Sequence, residues 1–389
     1  MRKFLCILFY LLCSNLTWGQ ADSIPFLRAS LMVGEPSFVY PQTVFGHAFL
    51  RLQCPSAGLD NCFSMESGDY EGFFDICIGN YPNRLVVIPT KEYLNIFNTE
   101  GRIVTEYFLN LTQKEIQSLW KFLDEKNLSG NSPYHDFFHH GCSQEMIHFL
   151  AENLNGTIVY GERAKGYGNT LYTLGTQTLS QNSWVRLPFV MLLSTDGTDT
   201  QISDAEKTAV PYIIPDLFSD AHIIGEDGFE RPILVQDISP VVYQPSVHFT
   251  GGGHFPIYVW FVVILVVIGV LSLIGLWSKG VDRMLDMVSF TGYSLIVLFL
   301  LFVCIVSTLP TTSGWNWNYI IYNPIPLLVW LYGRFHQLPW SRIYLCYTIW
   351  IGLFLIGIYI IGGHYVLEQY FLALIFMVRC LFKCVKRKY

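Results

Sequence analysis

A thiol and an imidazole stand out among the residues of this 389-residue chain that can do chemistry. His47 lies in VFGHAFLRL, which alternates like a β-strand. Cys142 lies in FFHHGCSQEMIHFL, where Gly141 precedes the thiol and a helical pattern follows it. A thiol in the first turn of a helix feels the positive end of the helix dipole, which favours the thiolate. A histidine on a neighbouring strand can take its proton. Gly141 lets the backbone approach closely, so the N–H groups there can serve as oxyanion donors. Together these residues outline a cysteine acyl-transfer enzyme with the histidine ahead of the cysteine in sequence.

The elements around the pair supply further candidates. On a strand, His47, Phe49 and Arg51 share one face, while Ala48, Leu50 and Leu52 share the other, apolar face. NCFSMES reads as the next strand, and Glu66 is its acidic candidate for orienting the imidazole, with Ser64 as the alternative on the same face. Arg51 is a candidate substrate contact. His135, His139, His140 and His148 crowd Cys142. Their spacing matches no metal motif, with or without His47, so no metal and no cofactor is expected. His139 and His140 are read as supports of the thiol, one of which tunes the thiolate.

The two ends of the chain point to a membrane. Arg2 and Lys3 precede the apolar FLCILFYLLC, which reads as a secretory signal over residues 1–19. From about Pro256 the chain is almost entirely apolar. PIYVWFVVILVVIGVLSLIGL, VSFTGYSLIVLFLLFVCIVSTL and IYLCYTIWIGLFLIGIYIIGG are each long enough to span a hydrocarbon core of ~30 Å. VLEQYFLALIFMVRCLFKC is a weaker span, and NYIIYNPIPLLVWLYGR, broken by Pro324 and Pro326, is a short or kinked one, which makes five. Lys279 and Arg283, then Arg334 and Arg342, then Lys383, Lys386, Arg387 and Lys388 alternate with breaks that hold no Lys or Arg. That alternation predicts a cytoplasmic tail and an exported N-terminal part.

The predicted organisation is a signal (1–19), an exported catalytic domain (20–240), a linker (241–255) and a transmembrane domain (256–389). Charge divides at the same boundary: the chain carries −6, and nine basic against three acidic residues from Phe255 onward leave the part before it strongly acidic. No basic stripe with interleaved aromatics suggests nucleic-acid binding. The exported part reads as α+β, a small, mostly antiparallel sheet with helices packed on it. TQKEIQSLWKFLDEKN is an amphipathic helix opened by a Thr112–Glu115 capping box, and SQEMIHFLAENLNG is a second helix. A further helix is expected in SDAEKTAVPYIIPDLFSDA, with Ser203 as its cap. In an oxidising compartment Cys54 and Cys62 can bridge, with Cys77 competing for either. Between the second span and the short one, Trp315 and Trp317 suit the interfacial belt. Asn316, Asn318 and Asn323 beside them would bind a lipid headgroup or seat the exported domain.

GHAFLRL, EGRIVTEYFLNLTQKEIQSLWKFLDEKN, PYHDFFHHGCSQEM and LLSTDGTDTQISDAEKTAVPYIIPDLF resemble the exported domain of the Lnb-type lipoprotein N-acyltransferases, and the part containing WNWNYIIYNP resembles that family's C-terminal portion. The resemblance implies a papain-like, permuted NlpC-type fold with His47 and Cys142 at the catalytic positions. It implies transfer of an acyl chain from a membrane phospholipid to the α-amino group of a diacylglyceryl-cysteine lipoprotein, in the bacterial inner membrane. One departure is Gly141, where family members often carry Asn; oxyanion donors would then come from the backbone. Two rivals fit parts of the pattern: a papain-like cell-wall amidase or peptidase, and a non-catalytic membrane assembly factor in which Cys142 is structural.

Overall fold

The structure is a computed structural model that describes residues 26–385 apart from 40–42, 68–74, 76–78, 80–81, 131–135, 137, 181, 250–254, 327, 330–331, 333–335, 337–339 and 362–364. The signal, His135, Cys77, Arg334, the glycines of the GGGHFP joint and Lys386, Arg387 and Lys388 therefore lie outside the described residues.

Alternation builds the central sheet. Strands β1 (Arg28–Gly34), β2 (His47–Cys54), β3 (Leu59–Ser67), β4 (Asn83–Pro89), β5 (Val104–Phe108) and β9 (Val241–Tyr243) pair antiparallel in the order β4-β3-β2-β1-β5-β9. A second sheet joins β6 (Thr157–Val159), β7 (His222–Ile224) and β8 (Glu230–Pro232). Successive side chains on a strand point to opposite faces. Ala48, Leu50 and Leu52 of β2 and Phe63 and Met65 of β3 therefore fall on one face, in the main core. That face is covered by helix α2 (Gln113–Ser129) and by α3 (Cys142–Glu152), whose Met146, Ile147 and Leu150 enter the same core. Phe49 and Cys62 fall on the other face, in a smaller cluster with Tyr93 and Phe97 of α1 (Thr90–Glu100).

Local signals explain the helix ends. The Thr112 side chain accepts from Glu115 N while the Glu115 carboxylate accepts from Thr112 N, the expected capping box. Glu115 is buried because it also holds Arg231 of β8, which fastens α2 to the small sheet. The helix expected after Ser203 is instead two short 3-10 turns, Glu206–Ala209 and Pro211–Ile213, leading into a six-residue helix, Ile214–Ser219. Pro211 and Pro215 have no N–H to continue one ladder. The start of the expected linker is strand β9, which hydrogen-bonds β5.

Cys54 and Cys62 are both free thiols. They cannot bridge as expected, because Cys54 shares the face of Leu52 and Cys62 shares the face of Tyr93. Burial pushes the Cys62 thiol up to about 12, although its contact with Thr90 opposes the rise.

The C-terminal third is helical: Ile257–Gly275, Lys279–Val306, the short Asn318–Ile321, Trp340–Ile361 and Leu367–Val385. The first two are long and apolar enough to cross a membrane. Val263, Val266 and Val270 of the first are exposed, an arrangement that water disfavours and lipid accepts. The fold class is α+β with a helical membrane domain.

Candidate active site

His47 opens β2 directly after Gly46, whose φ of +81° is the left-handed conformation that favours glycine. A Cβ at Gly46 would lie 2.7 Å from the Gly34 carbonyl oxygen, so the tight approach of β1 also requires glycine. The imidazole stacks on Phe49 and Phe97 and is largely buried. Its Nε2 lies 2.7 Å from Ser64 Oγ, 3.2 Å from Tyr93 OH and 3.3 Å from Glu66 Oε1. Ser64 Oγ donates to Glu66 Oε1 at 2.8 Å, and Tyr93 OH donates both to Ser64 Oγ and to Glu66. Burial alone would raise the Glu66 carboxyl. The charge and hydrogen bond of His47, with Tyr93 and Ser64, outweigh it and hold Glu66 at about 2. Burial, then the Glu66 charge, raises Tyr93 well above the usual phenol value. With Nε2 surrounded, Nδ1 is the ring nitrogen with no hydrogen bond among the described residues, and so the one open to accept a proton.

Cys142 is the first residue of α3, with Gly141 as its N-cap. Among the described residues no side chain caps this end, and the start of a helix favours an anion. The sulfur lies 3.9 Å from Asn83 Oδ1, and Asn83 Nδ2 donates to the His140 carbonyl at 2.5 Å. Asn83 is the first residue of β4, is buried, and pairs with Ser67 at the end of β3. Because β2 and β3 run antiparallel, His47 at the start of β2 and Glu66 at the end of β3 lie at this same end of the sheet.

The expected hydrogen-bonded dyad is nevertheless not formed. α3 lies on the Ala48–Leu50 face, whereas His47 and Glu66 lie on the Phe49 face under α1, so the sheet stands between imidazole and thiol. His47, Ser64 and Glu66 do come together as expected. Tyr93 and Asn83 were not foreseen.

The thiol's loop is tied to the membrane domain. Asp136, buried six residues ahead of Cys142, takes the N–H groups of Phe138 and His139 on Oδ1 and lies 3.3 Å from Thr311 Oγ1 through Oδ2. Thr311 follows the second long membrane helix. Ser194 adds bonds to the Pro310 and Thr311 carbonyls, each at 2.8 Å.

Residues 29–165 match the family model described as the Lnb N-terminal periplasmic domain, and residues 251–389 match the Lnb transmembrane domain. The chain belongs to the Lnb family. It is therefore a membrane protein with a periplasmic domain. Neither a curated protein nor a solved structure gives a significant match.

Other expected site residues of this Lnb chain have structural partners. Arg51 is no open substrate contact: it binds both oxygens of Asp60 and also Glu106 and Tyr243. Asn316 and Asn318 are buried, and their amides donate to the carbonyls of Val190 and Met191 in the helix Ser183–Leu192. Of their two expected roles, seating the periplasmic domain is the one that calls for this contact. Asn323 accepts from Ile325 N and donates to Ile320 O, fixing the turn into the Pro-broken segment. Trp315 and Trp317 remain partly exposed and meet edge to face. His140 Nδ1 lies 2.9 Å from Glu145 Oε1, and His148 pairs with Glu152. Among the described residues no group of three His, Cys, Asp or Glu is placed to hold a metal.

Proposed function

We propose that this Lnb chain is a lipoprotein N-acyltransferase of the bacterial inner membrane, with five spans and a catalytic domain on the periplasmic side. The Cys142 thiolate attacks an ester carbonyl of a membrane phospholipid. The thioester forms, the ester C–O bond breaks, and the alkoxide takes a proton and leaves as lysophospholipid. The α-amino group of a diacylglyceryl-cysteine lipoprotein then attacks the thioester, releasing the thiolate and one proton. The backbone N–H groups from Gly141 onward would hold the oxyanion in both steps.

The observation that carries this reading is the position of Cys142. It stands at an uncapped helix start, on a loop bonded through Asp136 to Thr311 of the membrane domain. A free cell-wall hydrolase has no need of that bond, whereas a thiol that takes chains from phospholipid must stay at the bilayer surface.

We assign the proton-accepting role to His47, with Glu66, Ser64 and Tyr93 positioning it. Nε2 is held by three side chains and Nδ1 is open. Catalytic contacts often tighten only when substrate is bound. On this reading the first turn of α3 and the start of β2 must rearrange in the lipid complex to bring the thiol to Nδ1, because the two lie at the same end of the sheet but on opposite faces of it. A second reading rests on His140, two residues before Cys142 and oriented by Glu145. Single-turnover acylation of purified protein by phospholipid, followed by intact mass, separates the two. Cys142→Ser should abolish the hydroxylamine-labile adduct and His47→Ala should slow its formation by about 10²–10⁴-fold. Full adduct formation in Cys142→Ser would overturn the proposal. Loss in His140→Ala with none in His47→Ala would transfer the base to His140.

A further inference from the structure

The periplasmic domain meets one end of the membrane helices, through Trp184 on the Phe255 carbonyl, Arg186 on Glu368, and Ser194 on Pro310. At the opposite end stands a charge cluster with no part in that seat. Arg379, buried in the last helix, binds Asp282 at 2.5 Å and Asp286 at 2.6 Å. Lys383, one turn on, takes the second oxygen of each carboxylate. Two acids and two bases thus neutralise one another. Arg283 and Arg342 are left over: among the described residues neither has an ion pair or a hydrogen-bonded carboxylate.

Both surplus arginines line a cavity of about 1120 Å³ that runs up between the helices Lys279–Val306, Trp340–Ile361 and Leu367–Val385. Its wall is mostly apolar and includes Tyr293, Val329, Trp350 and Phe376. The space exceeds the roughly 300–1,000 Å³ of ordinary small-molecule pockets. A long apolar cleft with two unneutralised guanidinium groups at its cytoplasmic end suits one kind of molecule. Its anionic headgroup meets the arginines, and its hydrocarbon fills the cleft. Guanidinium groups match phosphate oxygens bidentately, and basic pockets between spans on the cytoplasmic side recognise anionic headgroups.

We propose that this cleft binds an anionic phospholipid of the cytoplasmic leaflet, held by Arg283 and Arg342. The lipid is not the acyl donor of the reaction proposed above. Its headgroup lies a membrane's thickness, ~30 Å, from the side on which Cys142 stands. It packs the cavity beside Tyr293, and so holds the bundle on which the periplasmic domain sits.

The test uses the full chain, delipidated in neutral detergent and then titrated with phosphatidylglycerol or phosphatidylcholine, with bound lipid read by native mass spectrometry. The wild type should retain phosphatidylglycerol in preference to phosphatidylcholine. Arg283→Gln with Arg342→Gln should weaken that retention by about thirtyfold, about fivefold for each arginine. Lys279→Gln, at the same end but outside the cavity lining, should change it little. Each single arginine variant reads the same effect if the double variant does not fold. Equal retention of the two lipids, or retention unaltered in the arginine variants, overturns the proposal. So does full displacement of the lipid by inorganic phosphate, which would show a bare anion site. Acyl transfer by the wild type is measured in parallel, so failure of the lipid site and failure of the enzymatic reading are separate results.

Discussion

Arg51→Met separates an internal ion pair from a substrate contact. Arg51 forks onto Asp60 at 2.8 and 2.7 Å and reaches Glu106 at 2.9 Å. Burial works against its charge, but Asp60, Glu106 and Tyr243 outweigh it and hold the guanidinium above its ordinary pKa. Asp60 is partly exposed and has Thr90 as a second donor, so it tolerates the loss. Glu106 does not. It is 1% exposed, its Oε2 would retain only Tyr243, and its Oε1 has no hydrogen-bond partner among the described residues. Breaking a buried pair from one side costs about 3–5 kcal/mol, because an uncompensated charge stays in the core. At 2–4 °C per kcal/mol for a domain of this size, the melting temperature should fall by roughly 6–20 °C. Adding Glu106→Gln should restore much of it, since replacing both partners removes the stranded charge. Thermal unfolding of the full chain in detergent, with acyl transfer measured alongside, decides the matter. An unchanged melting temperature with a raised KM for phospholipid would refute the argument and return Arg51 to the substrate.

Three further outcomes follow from the same geometry. Glu66 titrates at about 2 in the folded chain against 4.5 ordinarily. Its stabilisation is therefore present above about pH 4.5 and is lost as the pH falls toward 2. Glu66→Gln should lose less stability than wild type between pH 6 and pH 3 by urea unfolding; parallel curves would exclude the carboxylate. Gly46→Ala forces a Cβ against the Gly34 carbonyl in a left-handed backbone, so it should cost about 1–3 kcal/mol and displace His47. An unaltered melting curve would show that the turn is slack. Asn318→Leu strands Gln369 Nε2, at about 1–3 kcal/mol, while Asn316 Oδ1 keeps the backbone N–H of residue 318. Faster proteolysis at the joint between the two domains should report it, and no change would mean that the amide does not seat the domain.

The elements that were legible carry period or punctuation. β2, β3 and β4 alternate, and α2 announces itself by its capping box. β1 escaped notice because nearly every side chain in RASLMVG is buried, so no alternation shows. β9 is three residues inside a Pro- and Gly-bearing stretch, and only its bonds to β5 define it. Arg51 was misread because its partner Glu106 is 55 residues away, and a lone charge on a strand looks the same whether it faces solvent or a buried acid. The separation of His47 from Cys142, by contrast, was implicit in the sequence. The alternation that put Ala48, Leu50 and Leu52 in the core put His47 on the other face. A helix with Met146, Ile147 and Leu150 on one side must pack where that core is. The two patterns needed only to be combined.

The bond between the periplasmic and membrane domains gives the thiol its context. The helix Ser183–Leu192 is held at its start, where Ser183 Oγ accepts from Ile257 N, and along its length, where Arg186 meets the fully buried Glu368. It is held again at its end, where Val190 and Met191 take the Asn316 and Asn318 amides. Buried polar groups with specific partners admit one arrangement far better than any slipped one. The 307–318 loop that receives this helix also receives Asp136, and through it the segment that ends in Gly141 and Cys142. The second long apolar helix, the loop after it and the segment before Cys142 are therefore one connected set of bonds. A thiol fixed in this way is held relative to the plane of the membrane. A soluble substrate has no use for that constraint, whereas an ester anchored in the bilayer does.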